Sequence, residues 1–212
     1  MNNHLFWLKF GLFSVGLGQS FAFVLVPPLA RDLGLSEIQT STIFAISAVA
    51  WAITSASWGR ASDNFGRRNI AVIGLIGYSI SIIALITPLF LVEQNLLAFV
   101  YLFPSLILGR LINGLIGSAT RPASFAYLAD ITPPEKRTVK FARMESSFLA
   151  GTVLGPLIGG FLFLFSQSLP FYLFAACALI AAFQLYLKMP NTKITTDTAK
   201  EISSISFRDA NV

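Results

Sequence analysis

Arg110 lies inside the apolar run Leu97–Thr120, and no acid shares that run. An arginine in such a setting costs several kcal/mol on insertion scales and is retained where it faces protein or a wet cavity, where it can hold a ligand, an ion or a proton path. Gln19, Ser20 and Ser14 on the run Leu5–Val26 are the polar side chains that could meet it. Counted from the outer ends, Arg110 lies about 20 Å down its helix and Gln19 about 10 Å down, at about 1.5 Å per residue. The reach of arginine and helix tilt narrow that gap. The alternative is a structural arginine satisfied by backbone carbonyls. A second group of charges is WGRASDNFGRRNI, Trp58–Ile70, in which Gly59 and Gly66 bracket Asp63 and are followed at once by Arg67 and Arg68. That pattern suits a tight turn with an acid poised to meet a helix end or a basic partner, or a simple charged anchor. Asp130 follows twenty residues after Arg110, about 30 Å along a continuous helix, so it falls near the same turn. Glu145 is the only other carboxylate placed near a cavity; it could titrate if desolvated, but Lys140 and Arg143 just before it favour an interfacial salt bridge.

Few residues offer enzymatic chemistry. The one histidine, His4, is near the terminus, and the one cysteine, Cys177, sits in an apolar run, so neither a disulfide framework nor a thiolate metal site is available. No carboxylate pair lies within an apolar run, and Gly16, Gly18, Gly114 and Gly117 stand in apolar segments where they read as packing positions. No metal ligand set and no cofactor are expected.

The elements that must position these groups are membrane helices. Of 212 residues, 55% are hydrophobic and only 12% charged, and the mean hydropathy is +0.71. Six apolar segments of roughly membrane-crossing length, about 20 residues for a core of about 30 Å, stand at Leu5–Val26, Ile38–Trp58, Ile70–Leu91, Leu97–Thr120, Phe141–Phe165 and Pro170–Leu187. Their runs are continuous, which favours an all-α bundle over a barrel. The expected organisation is a six-helix transmembrane bundle over 1–190 followed by a polar cytoplasmic tail over 191–212. With both ends inside the cell, all fifteen lysines and arginines except Arg31 and Arg110 fall on the cytoplasmic side or at its interface. That bias orients the chain in the cell membrane, and the scatter of the basic residues over several loops argues against a nucleic-acid partner.

The motifs resemble those of the major facilitator superfamily of secondary transporters, and within it the drug:proton antiporters with twelve spans. Residues 59–68, GRASDNFGRR, match G-x-x-x-D-x-x-G-R-[KR]; Arg110–Gly114 matches R-x-x-x-G and is followed by Pro122 and by DITPPEKR over 130–137; Gly151–Gly160 matches G-x-x-x-G-P-x-x-G-G. PFY at 170–172 is similar to the quinolone and multidrug exporters of that family, and tetracycline exporters share the overall pattern. The resemblance implies a cytoplasmic gate in which Asp63, Arg67 and Asp130 form a charge network, with Gly59, Gly66, Arg68, Glu135 and Arg137 in the same motifs. It implies that Arg110 and Gly114, with Gln19 and Glu145, serve the cavity and its coupling, and that spans one, two, four and five wall it, so that Gln19, Phe23 and Phe148 become candidate substrate contacts. The helix carrying Gly151, Gly155, Pro156, Gly159 and Gly160 is expected to seal the cavity, its glycines permitting close approach and its proline favouring a bend. No acid stands between Leu5 and Val26, where several family members couple protons, so the coupling group is left open.

The implied function is proton-driven export of hydrophobic or amphipathic small molecules by alternating access, with the proton gradient as energy source. The chain corresponds to the N-terminal six-helix half, whose partner is a C-terminal six-helix half in a longer chain or a separate one. The other readings are a six-span accessory subunit without transport of its own, and an importer of a sugar or organic anion. The importer is disfavoured by the Gly151–Gly160 motif and by the scarcity of charges assigned to the cavity.

Overall fold

The structure, a computed structural model, describes residues 3–192. Seven α-helices run in order: α1 Asn3–Asp32, α2 Glu37–Phe65, α3 Arg67–Glu93, α4 Leu102–Leu115, α5 Thr120–Asp130, α6 Pro134–Phe163 and α7 Leu169–Lys188. With short 3-10 turns at Phe99–Tyr101 and Gly117–Ala119, α4 and α5 form one segment, Phe99–Asp130, so six segments are long and apolar enough to cross a bilayer. No strand occurs among the described residues. The fold is the all-α six-span bundle that the hydropathy pattern implies.

The helices extend past the apolar runs that signal them, because hydropathy marks where a helix enters lipid and hydrogen bonding decides where it ends. Helix α1 continues through Pro27 and Pro28 to Asp32, beyond the expected end at Val26. At the other extreme α6 begins at Pro134, seven residues before Phe141; Pro134 fills the first helical position, where a missing N–H costs nothing. Helix α2 starts at a capping box: Gln39 N–H donates to Ser36 Oγ at 3.2 Å, and Ser36 N–H donates to Gln39 Oε1 at 2.9 Å. It runs on to Phe65, so Asp63 belongs to its last turn and the connection to α3 is the single residue Gly66. Gly66 has φ of 95°, and a side chain there would also strike Asn191, so both the backbone and the space require glycine.

Helices α1, α3 and α7 supply most of the apolar core, with Leu12, Leu75, Tyr78, Ile82, Phe171 and Phe174 fully buried. The apolar stretches of α2 and α6 are largely uncovered, 11% and 17% buried against 67% for α3. Those two helices therefore present free faces.

The α1–α6 contact is made backbone to backbone. A methyl group on Gly151 would strike Phe13 O, one on Gly155 would strike Leu17 O, one on Gly16 would strike Phe148 O, and Gly159 lies against the Phe21 ring. Gly160 has open space instead. The spacing of 151, 155 and 159 puts them on one helical stripe, and Gly16 supplies the reciprocal gap. Helix α6 runs unbroken through Pro156. Proline has no N–H to give to the carbonyl four residues back, Thr152 O, and Ser20 of α1 supplies it: Ser20 Oγ donates to Thr152 O at 2.7 Å.

A second interruption lies in the fourth span, where a continuous helix was expected from Arg110 to Asp130. Ala119 N–H donates to Ile116 O in a tightened 3-10 turn, leaving the Gly114 and Leu115 carbonyls to find other donors. Helix α2 lies against them: the Thr54 hydroxyl is shared between Ala50 O of its own helix at 2.8 Å and Gly114 O at 2.9 Å, and Trp58 Nε1 donates to Leu115 O at 2.6 Å. Glycines of α3 admit the turn, with Gly74 against Thr120 and Gly77 against Ile116.

Gly155→Ala is expected to cost about 1–3 kcal/mol, since its methyl group meets backbone that cannot yield. Gly160→Ala should stay within about 0.5 kcal/mol. Ser20→Ala should cost about 1 kcal/mol or more with Pro156 present and nothing measurable in a Pro156→Ala background, where residue 156 regains its N–H. Unfolding of the purified chain in detergent micelles measures all three, and equal Ser20→Ala costs in both backgrounds would refute the pairing.

Candidate functional site

Helix α4 is wedged between two neighbours by its glycines. Gly109 lies against the Ala84 backbone of α3, and Gly114 against Ser47 O of α2. Between them Arg110 projects into a cavity of about 360 Å³ walled by spans one, two, four and five. Gly114 thus sets the α2–α4 distance and is not part of the wall. The Arg110 side chain is 98% buried, and its guanidinium lies 4.9 Å from the Phe44 ring and 5.5 Å from the Phe23 ring. Its Nε and Nη1 are buried with no hydrogen-bond partner among the described residues. Gln19, Phe23 and Phe148 line the same cavity, as do Trp51, Asn113 and Arg121.

The span-one candidates for Arg110 divide. Gln19 shares the cavity, with no hydrogen bond to the arginine among the described residues. Ser14 Oγ donates to Phe10 O within its own helix at 2.8 Å, and Ser20 is engaged with Thr152, so neither meets Arg110.

Glu145 pairs with Arg121, not with Lys140 or Arg143. Arg121 Nη2 donates to both carboxylate oxygens at 2.6 Å, and the Arg121 guanidinium stacks 4.6 Å over Phe148. The physical reason is helical phase: residues two and five positions apart do not share a face, so Lys140 and Arg143 point elsewhere while Glu145 faces α5. Arg121, assigned from the sequence to the cytoplasmic side, lies on the cavity wall and on a second hollow beside Glu145. Two arginines therefore line the cavity where one was expected.

At the far end of α5 the loop acids meet as the motif implies. Arg67 is nearly buried; its Nη1 forms an ion pair with Asp63 Oδ1 at 2.5 Å and donates to Ser62 Oγ at 2.6 Å, and its Nε donates to Asp130 Oδ2 at 2.9 Å. Asp63 and Arg67 are four apart yet belong to different helices, and the bend at Gly66 brings them together. Arg68 serves another end: its Nη1 lies 3.4 Å from Tyr186 O and 3.5 Å from Met189 O, and its guanidinium stacks 5.0 Å from the Tyr186 ring, which caps the last carbonyls of α7. Arg67 N–H also donates to Thr192 O at 3.0 Å, so the chain leaving α7 is held at this corner. Glu135 and Arg137 lie outside the charge cluster. Glu135 is exposed in the first turn of α6, and Arg137 Nε donates to Thr132 O at 3.1 Å. Gly59 is helical and faces Pro122 with room for a methyl group.

Sequence reasoning missed Trp58, Thr54 and Arg121. The first two have no signal except their one-turn spacing on α2; the third had one, since an arginine one residue before Pro122 continues a helix that already carries Arg110.

Arg67→Ala is expected to destabilise the chain by about 1–3 kcal/mol, because it strips Asp63, Asp130 and Ser62 of their common donor. Asp130→Asn should cost less, since Asp63 and Ser62 still hold the guanidinium. Unfolding in detergent orders the two variants, and the reverse order would contradict the cluster.

Comparison with known proteins places this architecture. The family model described as Major Facilitator Superfamily matches residues 8–209. The chain is 30% identical over 181 residues to the quinolone resistance protein NorA of Staphylococcus aureus (strain Mu50), covering 85% of this chain and 44% of that protein. It is 31% identical over 171 residues to multidrug resistance protein 1 of Bacillus subtilis (strain 168), covering 81% of this chain and 41% of that one. The chain thus spans less than half the length of the curated relatives it matches. A six-span helical bundle with this family match across nearly its whole length is a multi-pass membrane protein of the Major Facilitator Superfamily.

Proposed function

We propose that the chain acts as the N-terminal half of a secondary transporter that exports hydrophobic or amphipathic small molecules by alternating access, driven by the proton gradient. The observation that carries this reading is the cavity around Arg110, set within the membrane spans and walled by Phe23, Phe44, Trp51 and Phe148. A buried cation amid aromatic rings suits amphipathic ligands, and membrane drug-resistance relatives support export as the direction. Transport rather than catalysis is the proposed activity, with no cofactor.

In this reading the Arg67–Asp63–Asp130 cluster is the cytoplasmic gate. Partly exposed ion pairs contribute little singly but can bias two states that differ by a few kcal/mol. The glycine-lined contact of α1 with α6 is the seal, and the free faces of α2 and α6 receive the C-terminal six-helix half. Both ends are cytoplasmic by the distribution of lysine and arginine. Glu145, about one turn inside the fifth apolar run and beside Arg121, is the proposed proton acceptor of this half.

Cells expressing the chain together with a C-terminal six-span half are expected to lose a preloaded amphipathic dye faster than control cells. A protonophore and Arg110→Ala should each remove the difference. Equal dye loss with and without the pair would refute export, and loss that survives the protonophore would refute proton coupling.

A further inference from the structure

The charges of the cavity specify the charge of what enters it. Among the described residues, Arg110 is the only unpaired charge on the cavity wall: no carboxylate of theirs lines it, and Arg121 is neutralised by Glu145. Burying an unpaired guanidinium among apolar groups is costly, and a ligand that supplies the missing partner recovers much of that cost. A cation would meet an uncompensated like charge, a neutral molecule would leave Arg110 unpaired, and a dianion would carry one negative charge too many. The geometry of the rest fits an aromatic body, because Phe23 and Phe44 stack at 4.7 Å beside the guanidinium while Trp51 and Phe148 line the same space. Asn113, on the same helical face as Arg110, adds an amide donor beside the anionic group. A cavity of about 360 Å³ is at the small end of ligand sites, which suits one or two fused rings.

We propose that this cavity is a site for monoanionic aromatic molecules, with the anionic group on Arg110 and the ring system among Phe23, Phe44, Trp51 and Phe148. The inference rests on the reading of the cavity as a small-molecule site, and it narrows the substrate class from amphipathic molecules in general to aromatic anions. Sequence reasoning set an organic-anion importer aside on the Gly151–Gly160 motif and on the scarcity of cavity charges; Arg110, without an acid on the wall among the described residues, removes the second of those grounds.

The test is binding of naphthalene probes to the purified chain in lipid nanodiscs, read by quenching of tryptophan fluorescence, with Trp51→Phe identifying the cavity signal. 1-Naphthoate is expected to bind about tenfold or more tighter than 1-naphthalenemethanol and 1-naphthalenemethylamine, the ratio that one charge-assisted hydrogen bond supplies. Arg110→Gln should abolish that preference. Glu145→Gln, which frees a second positive charge, should shift preference toward naphthalene-1,4-dicarboxylate by about tenfold, and this gain does not depend on a variant losing structure. Affinities for naphthoate and naphthalenemethanol within about threefold of each other, or tighter binding of the amine, would overturn the proposal. The two readings fail separately. Selective naphthoate binding without dye export retains the anion site and removes the exporter, whereas export with no anion preference does the reverse.

Discussion

A carbonyl that loses its helical donor within a bilayer has no water to turn to, and much of this bundle is arranged to meet that constraint. Pro156 deprives Thr152 O of its donor, and the Ser20 hydroxyl of α1 replaces it. The 3-10 turn between α4 and α5 releases the Gly114 and Leu115 carbonyls, and Thr54 and Trp58 of α2 take them up. Each replacement needs the donor helix close and in one register, so each fixes a helix pair: α1 against α6, and α2 against span four. The glycines make that proximity possible, and the displaced hydrogen bonds make it specific. Backbone irregularity and helix packing are therefore one feature of this protein, not two.

The same two helix pairs form the walls of the cavity, which is why Arg110 can be where it is. Gly109 and Gly114 clamp α4 between α3 and α2, and the arginine between them has no direction left except the space enclosed by α1, α2 and α6. Its neighbour Arg121 lies eleven residues further on, about three helical turns, so the two arginines fall on nearly the same side of the span and both line one cavity. The two differ in charge balance: Arg121 has Glu145, while Arg110 faces aromatic rings alone. At the Asp130 end of the same span, Arg67 pairs with Asp63 and Asp130 and donates to Ser62. That span thus carries Arg110, which has no acid partner among the described residues, and Asp130, which is held by Arg67 of α3.

Much of this was legible in the residues. Six apolar runs gave the spans, the 151–155–159 spacing gave the tight α1–α6 contact from one side, and the motif around Gly66 placed Asp63 and Arg67 with Asp130. What was not legible came from helical phase across irregular backbone. Glu145 was assigned to Lys140 and Arg143 because they are near in sequence, yet a helix turns them to other faces. Ser20 was one of three polar candidates for Arg110, yet the carbonyl freed by the proline on α6 takes its hydroxyl. Residues 193–212, which hold most of the polar tail, lie outside the described residues.

The sequence by itself determined the membrane class, the number of spans, the family and the glycine positions where helices can approach, because these follow from composition, run length and local motif. Only the tertiary structure decided which carbonyl each hydroxyl and indole serves and which arginine is paired. The physical reason is that pairing inside a bundle depends on the rotation of each helix about its own axis. A single 3-10 turn changes that rotation, and neither composition nor spacing records it.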